Sequence, residues 1–114
     1  MPPDPHTFLI TVTVMPERRR TDLVLSGDID LAARPLLGAA VDELADAAPH
    51  TTVIDLAAVT FGGSDLASFL ARVRTAIPAG SLLVVSRPTP MTRKVLQFTG
   101  IEHVAVIRDD AYAG

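Results

Sequence analysis

The sequence predicts an α/β domain: a mixed, mainly parallel sheet that begins with an antiparallel hairpin and has helices packed against it. Three observations carry this. Two strand-like stretches near the start, TFLITVTV and TDLVLS, are joined by a short polar turn, and so short a connection implies an antiparallel pair. Strand and helix patterns then alternate along the rest of the chain, which right-handed crossovers turn into parallel strands with helices against them. The run LLVV within Ser81–Ser86 is continuously apolar, as in a strand covered on both faces.

Taken in order, residues 1–6 are a proline-rich lead-in expected to be mobile, residues 7–110 the domain, and residues 111–114 a polar tail. In Thr7–Val14, Phe8, Ile10, Val12 and Val14 alternate with Thr7, Thr11 and Thr13, which predicts a strand with one buried face; Leu9 interrupts the alternation. Pro16–Arg20 is the turn, and its basic triplet Arg18, Arg19, Arg20 is expected at a solvated tip. Thr21–Ser26 returns as the second strand, after which Gly27, Asp28, Ile29 and Asp30 are expected to leave the sheet. Pro35 suits a first helical turn, and Leu37, Val41, Leu44, Ala45 and Ala48 form one apolar stripe ended by Pro49. Gly38 inside that helix costs about 1 kcal/mol against alanine.

The stretch VIDLAAVTFGGSDLASFL organises the chain. It reads as a strand through Val53, Ile54 and Leu56, a glycine turn, and a helix whose Leu66, Phe69, Leu70, Val73 and Ile77 recur at helical spacing. Pro88 and Pro90 open a third helix with Met91, Val95 and Phe98 on one side and Gly100 as its stop; Val104–Ile107 is a last short strand. If the second and third strands are neighbours, Asp30 and Gly62–Ser64 share the carboxyl edge of the sheet, where open α/β sheets place sites.

Composition narrows the function. At 114 residues with 48% apolar content the chain is one domain with a real core. Aromatics are only 4%, so that core is aliphatic. No apolar run is long enough to span a bilayer, and MPPDPH lacks the basic and apolar regions of a signal peptide; a cytoplasmic location is expected. There is no cysteine, His6, His50 and His103 show no metal-ligand spacing, and the net charge of −3 argues against nucleic acid as the main partner. Neither metal nor bound cofactor is expected.

Ser64 stands where the central helix begins. Serine there is a favoured N-cap, worth about 1 kcal/mol over alanine, and Asp65 suits the helix dipole; both are accounted for without function. Gly62-Gly63-Ser64-Asp65-Leu66 also compares with a nucleophile elbow, with Leu66 in place of the last glycine and His103 the only downstream histidine. A phosphate site at the helix start lacks a P-loop pattern, and Asp65 opposes an anion. Asp30 is a candidate loop cap. Asp55 is expected at the end of its strand, satisfying loop amides. Arg72 and Arg74 form the solvated side of the helix or the rim of an interface.

LSGDIDLAARPLL, then VIDLAAVTF with GGS and its helix, then KVLQFTGIEHV, resemble the STAS domain of bacterial anti-sigma-factor antagonists over Phe8 to Ile107. That family usually reads G-E-L-D after the second strand and D-L-x-x-V-x-F-x-D-S in the middle. The resemblance implies a single STAS-like domain and a non-enzymatic switch. It implies as partner a GHKL-type anti-sigma factor that is also an ATP-dependent serine kinase, with ATP and Mg²⁺ belonging to that partner. By match, Asp30 is the acid of the G-E-L-D segment, Asp55 the strand acid and Ser64 the phosphoacceptor. Gly63 stands where the family usually has Asp, and Asp65 where it has Ser or Thr. The expected partner surface is Asp28, Asp30, Gly62, Gly63, Ser64, Asp65, Ser68 and Arg72, on a monomer or weak dimer with no membrane or nucleic-acid contact. The alternatives are a kinase-independent STAS subunit of a lipid-transport or stressosome-like assembly, and a small nucleotide-binding or hydrolase domain.

Overall fold

Each strand hydrogen-bonds to the strand next to it in the chain. The computed structural model describes residues 4–113 and orders one five-stranded sheet β1-β2-β3-β4-β5. The strands are β1 (Leu9–Met15), β2 (Arg20–Ile29), β3 (Thr51–Gly62), β4 (Leu82–Ser86) and β5 (Val106–Arg108). β1 and β2 are antiparallel, and the remaining neighbours are parallel. The helices α1 (Arg34–Ala47), α2 (Ser64–Ala76) and α3 (Pro90–Thr99) fill the three crossovers. The mixed sheet with its N-terminal hairpin is the fold class the sequence predicts.

A sequential strand order with right-handed crossovers puts every helix on the same face of the sheet. One apolar cluster accordingly joins Leu37 and Leu44 of α1, Leu66, Phe69 and Leu70 of α2 and Leu96 of α3 to Leu23, Leu25, Ile54, Leu56, Leu83 and Val85 of the strands. The other face keeps its own cover. Ser86 Oγ donates to the Asp110 carbonyl (2.6 Å) and Arg20 Nη2 to the Tyr112 carbonyl (2.7 Å). The Tyr112 ring lies 5.3 Å from the Arg20 guanidinium and 5.8 Å from that of Arg108. The tail thus crosses from β5 to β2 over Val53 and Val84, which are 5% and 0% exposed although they face away from the helices. Cation–π contact and a buried hydroxyl hold it there. Gly114 lies outside the described residues, as do residues 1–3 of the lead-in.

Several boundaries differ from the sequence reading. β2 does not end at Ser26: it stays paired with β3 as far as Ile29 opposite Gly62, past irregularities on either side of Gly27. The extra residues lie on β3, within Leu56–Ala57 and at Thr60, while Gly27, at φ +84, stays in the ladder opposite Val59. His6 and Thr7 run close beside Gly27, with Asp28 N donating to the His6 carbonyl at 2.9 Å. Leu9 is simply an outward residue of a regular alternation, and Val14, expected inside, is 47% exposed. The stripe of α1 is Leu37, Ala40, Val41 and Leu44. Ala45 is exposed and Ala48 is the left-handed C-cap. In α3 the inward residues are Thr92 and Leu96, while Met91 (55%) and Phe98 (93%) face out. Thr92 is tolerated inside because its hydroxyl bonds the Thr89 carbonyl. Val104 precedes β5 rather than opening it.

Two expected outcomes follow from the interior. Thr21 and Thr52 face each other across β2 and β3, 1% and 0% exposed, and their hydroxyls have no partner among the described residues. Thr52→Val keeps the shape and removes an unsatisfied group, so it is expected to raise stability by about 1 kcal/mol. A lower urea midpoint than wild type contradicts this. Gly38 sits mid-helix, and a Cβ there would meet only the Arg72 Nη2 at 3.9 Å, an ordinary contact. Gly38→Ala is expected to gain about 0.5–1 kcal/mol and a melting temperature higher by a few degrees. A melting temperature at or below that of wild type contradicts it.

Candidate functional site

The parallel pairing of β2 with β3 brings their carboxyl ends side by side, with Ile29 opposite Gly62. The loops after them therefore emerge together. On the β2 side, Asp30 caps a 3-10 turn, Leu31–Ala33, its Oδ1 accepting from Ala32 N at 3.0 Å. Pro35 then continues the chain into α1.

On the β3 side the local structure differs from the expected serine cap. Gly62 is the last strand residue and Gly63 is the N-cap, at φ −127 with no side-chain cap. Ser64 is the first helical residue, exposed, with a hydroxyl that caps nothing. A Cβ on Gly62 would come within 3.1 Å of the Leu66 side chain, so this glycine lets α2 start against the strand. A Cβ on Gly63 would meet nothing within 4 Å. Leu66, Phe69, Leu70 and Val73 bury the opposite side of α2. At 100° per residue that leaves Ser64, Ser68 and Arg72 as one outward stripe, and all three are exposed.

Asp65 turns from Ser64 toward α1, where its Oδ1 accepts from Arg34 Nε at 2.8 Å. Sequence reasoning missed Arg34. The one signal was its position: a cation in the first turn of a helix opposes the helix dipole and calls for a carboxylate elsewhere. Arg34, Leu37, Asp65, Ser68, Phe69 and Arg72 line a cavity of about 150 Å³ between α1 and α2. Arg72 enters no ion pair among the described residues, whereas Arg34 does.

Asp28 lies on the outer face of β2, one residue back from the edge. Its Oδ1 accepts from Thr60 Oγ1 at 2.6 Å and meets His6 Nδ1 at 3.2 Å. The Thr60 hydroxyl first, and His6 second, hold the Asp28 carboxyl below its ordinary value. Neither Thr60 nor His6 was singled out from sequence. Thr60 is the extra residue of β3 between the pairs Gly27–Val59 and Asp28–Phe61, an irregularity that no local pattern announces.

The expected residues thus divide. Asp30, Gly62, Gly63, Ser64, Asp65, Ser68 and Arg72 share one rim and the adjoining face of α2; Asp28 sits on the other side of the sheet edge. Asp55 is not at a strand end. It lies mid-β3 on the outer face, accepting from Ala57 N at 2.9 Å and paired with Arg87. Arg74 is not part of the solvated side: it bonds the Pro78 and Ser81 carbonyls, each at 2.9 Å, and ties down the end of α2. No group of three or more His, Cys, Asp or Glu side chains is arranged to hold a metal ion among the described residues. No helix among them is long and apolar enough to cross a membrane.

A family model described as "Mlab, STAS domain" matches residues 12–108. No curated protein matches the chain. Among solved structures, that of an anti-sigma factor antagonist from Mycobacterium paratuberculosis is similar with a TM-score of 0.78 at 24% identity, over 92% of this chain and 88% of that one. The anti-sigma factor antagonist SpoIIAA in its unphosphorylated form gives 0.65 at 18% identity, over 94% and 90%. The Bacillus cell fate determinant SpoIIAA in its phosphorylated form gives 0.62 at 19% identity, over 94% and 93%.

Proposed function

The chain belongs to the STAS domain family, and on that premise we propose that it is an anti-sigma-factor antagonist. It acts by binding, not by catalysis, and releases a sigma factor by occupying the anti-sigma factor. The docking surface is the rim formed by Asp30, Gly63 and Ser64 together with the outward stripe Ser64, Ser68 and Arg72. The observation that supports this most directly is the exposed, uncapped hydroxyl of Ser64 on the first turn of α2. The partner is a GHKL-type serine kinase in the cytoplasm, and phosphate on Ser64 ends the contact. Such a phosphate adds about −1.5 to −2 charge. The α2 dipole favours that charge, so the fold survives. In an interface the same charge is costly through desolvation and repulsion.

A kinase-independent STAS scaffold subunit is the second reading. Gly63 favours it, since antagonists of this family usually carry Asp there. The space around Gly63 nevertheless admits a side chain, and Gly63→Asp tests whether an acid at that point improves phosphorylation.

The decisive experiment is capture of partners from cell extract by the wild-type chain, with and without ATP, followed by mass mapping of phosphate on the bait. ATP is expected to release an anti-sigma factor and leave phosphate on Ser64. Ser64→Asp is expected to lower affinity about tenfold or more, the equivalent of about 1.4 kcal/mol, with an unchanged melting temperature. Equal binding by Ser64→Asp rules out charge at Ser64 as the switch. Stable recovery with a transporter ATPase and no phosphate supports the scaffold reading instead.

A further inference from the structure

The two edges of the sheet are unlike. β5 is three residues long and carries Arg108, a short and charged edge of the kind that resists pairing. β1 is seven residues long, LITVTVM, with neither charge nor proline. It bonds to β2 on one side only, and nothing pairs with its other side among the described residues. Native edges of this length and composition are normally blunted or covered, because the free N–H and C=O groups are a template for another strand.

We infer that the free edge of β1 is a docking surface for a second copy of this chain, paired antiparallel to form one continuous sheet across a two-fold axis. Three features of the surface select that occupant. The first is backbone complementarity: an antiparallel strand of the same sequence meets every free donor with an acceptor, and the two-fold closes the assembly at two chains. The second is apolar. Ile10 and Val12 are half-buried and, with Leu36, Ala39, Ala40 and Glu43, line a groove of about 230 Å³ between β1 and α1. Leu36 is 47% exposed beside it. A second β1 with its own α1 brings the same residues to the same groove.

The third is charge. Arg18 and Arg19, just beyond the end of β1, are exposed and enter no ion pair among the described residues, and they outweigh the exposed Glu17 beside them to leave that end net positive. Asp4 is exposed just before its start. A two-fold axis at Val12 sets Leu9 opposite the copy's Met15 and carries the copy's Arg18 and Arg19 toward Asp4 and His6. Antiparallel pairing joins the basic end of each strand to the acidic end of the other; parallel pairing does not. This assigns the arginine turn a role that the antagonist reading leaves unused. It also leaves Ser64 free, since β3 is two strands from the edge.

The test uses the full chain. Sedimentation equilibrium from about 1 µM to 1 mM is expected to show a monomer–dimer equilibrium that weakens with added salt. Hydrogen exchange at the two ends of that range is expected to show β1 amides protected only at high concentration. Thr11→Lys with Thr13→Lys places like charges on facing strands, and Arg18→Glu with Arg19→Glu reverses the basic end. Each pair is expected to weaken dimerisation about tenfold or more. A monomer throughout the range overturns the inference. So does a dimer whose β1 amides exchange equally at both concentrations, and that measurement needs no variant to fold.

Discussion

Gly27→Ala is expected to cost about 3 kcal/mol or more, a large share of the roughly 5–15 kcal/mol that holds a domain together. Two independent penalties combine. The backbone at Gly27 has φ +84, which costs an alanine about 1–2 kcal/mol. The added Cβ would also lie 2.2 Å from the Thr7 carbonyl oxygen, 2.6 Å from its carbon and 3.0 Å from the His6 oxygen. These are backbone atoms, so no rotamer relieves the clash. Relief requires the segment before β1 to lift off, which breaks the Asp28 N to His6 O bond and separates His6 from the Asp28 carboxylate. Urea unfolding checks it: a midpoint within about 0.3 M of wild type is incompatible with this packing.

Phe69→Ala is expected to be as damaging from the other side of the domain, at about 3–5 kcal/mol. Phe69 is 1% exposed and the bulkiest of the fully buried side chains. It anchors α2 to the core and forms part of the floor of the cavity beneath Arg34 and Arg72. With four phenylalanines in the whole chain and no tryptophan, few large side chains stand ready to refill the hole. Thermal unfolding is the measurement, and a loss of less than about 1.5 kcal/mol would mean that the helix resettles onto the sheet. Partner capture by Phe69→Ala falls because the domain unfolds, whereas Ser64→Asp is expected to lose binding at an unchanged melting temperature. The pair separates a defect of fold from a defect of surface.

The parts of this architecture that were legible in the sequence are those in which burial and periodicity coincide. Leu66, Phe69, Leu70 and Val73 lie under α2 as their spacing indicated, and LLVV became a strand buried on both faces because the tail covers Val84. Periodicity shows that a helix has an apolar side without showing which way it faces. Met91, Val95 and Phe98 share a helical face as well as any core stripe, yet Met91 and Phe98 point outward and a threonine points in. Local signals also misled at Gly27 and Asp28, a glycine–aspartate pair expected to leave the sheet that instead stays paired, the extra residue being Thr60 on β3 opposite.

In the candidate site, the glycines and Ser64 were visible from the local order of strand, glycine turn and helix. The N-cap moved by one residue because Gly63 takes the cap conformation and no side chain is needed there. The long-range partners were not visible. Arg34 reaches Asp65 across 31 positions and Thr60 reaches Asp28 across 32; no window of neighbouring residues contains either pair. The tail escaped for a different reason. Its hold depends on Tyr112 lying near two arginines 92 and four positions away, and on one carbonyl for Ser86.

The strictly sequential order of the sheet bears on how the protein is made. β2 docks on β1, β3 on β2, β4 on β3 and β5 on β4, so every strand after β1 finds a neighbour already synthesised. A chain leaving the ribosome can add each strand–helix unit to a template already in place, with short loop closures at every step. The edge that stays open throughout synthesis is that of β1, while the growing edge moves along with translation.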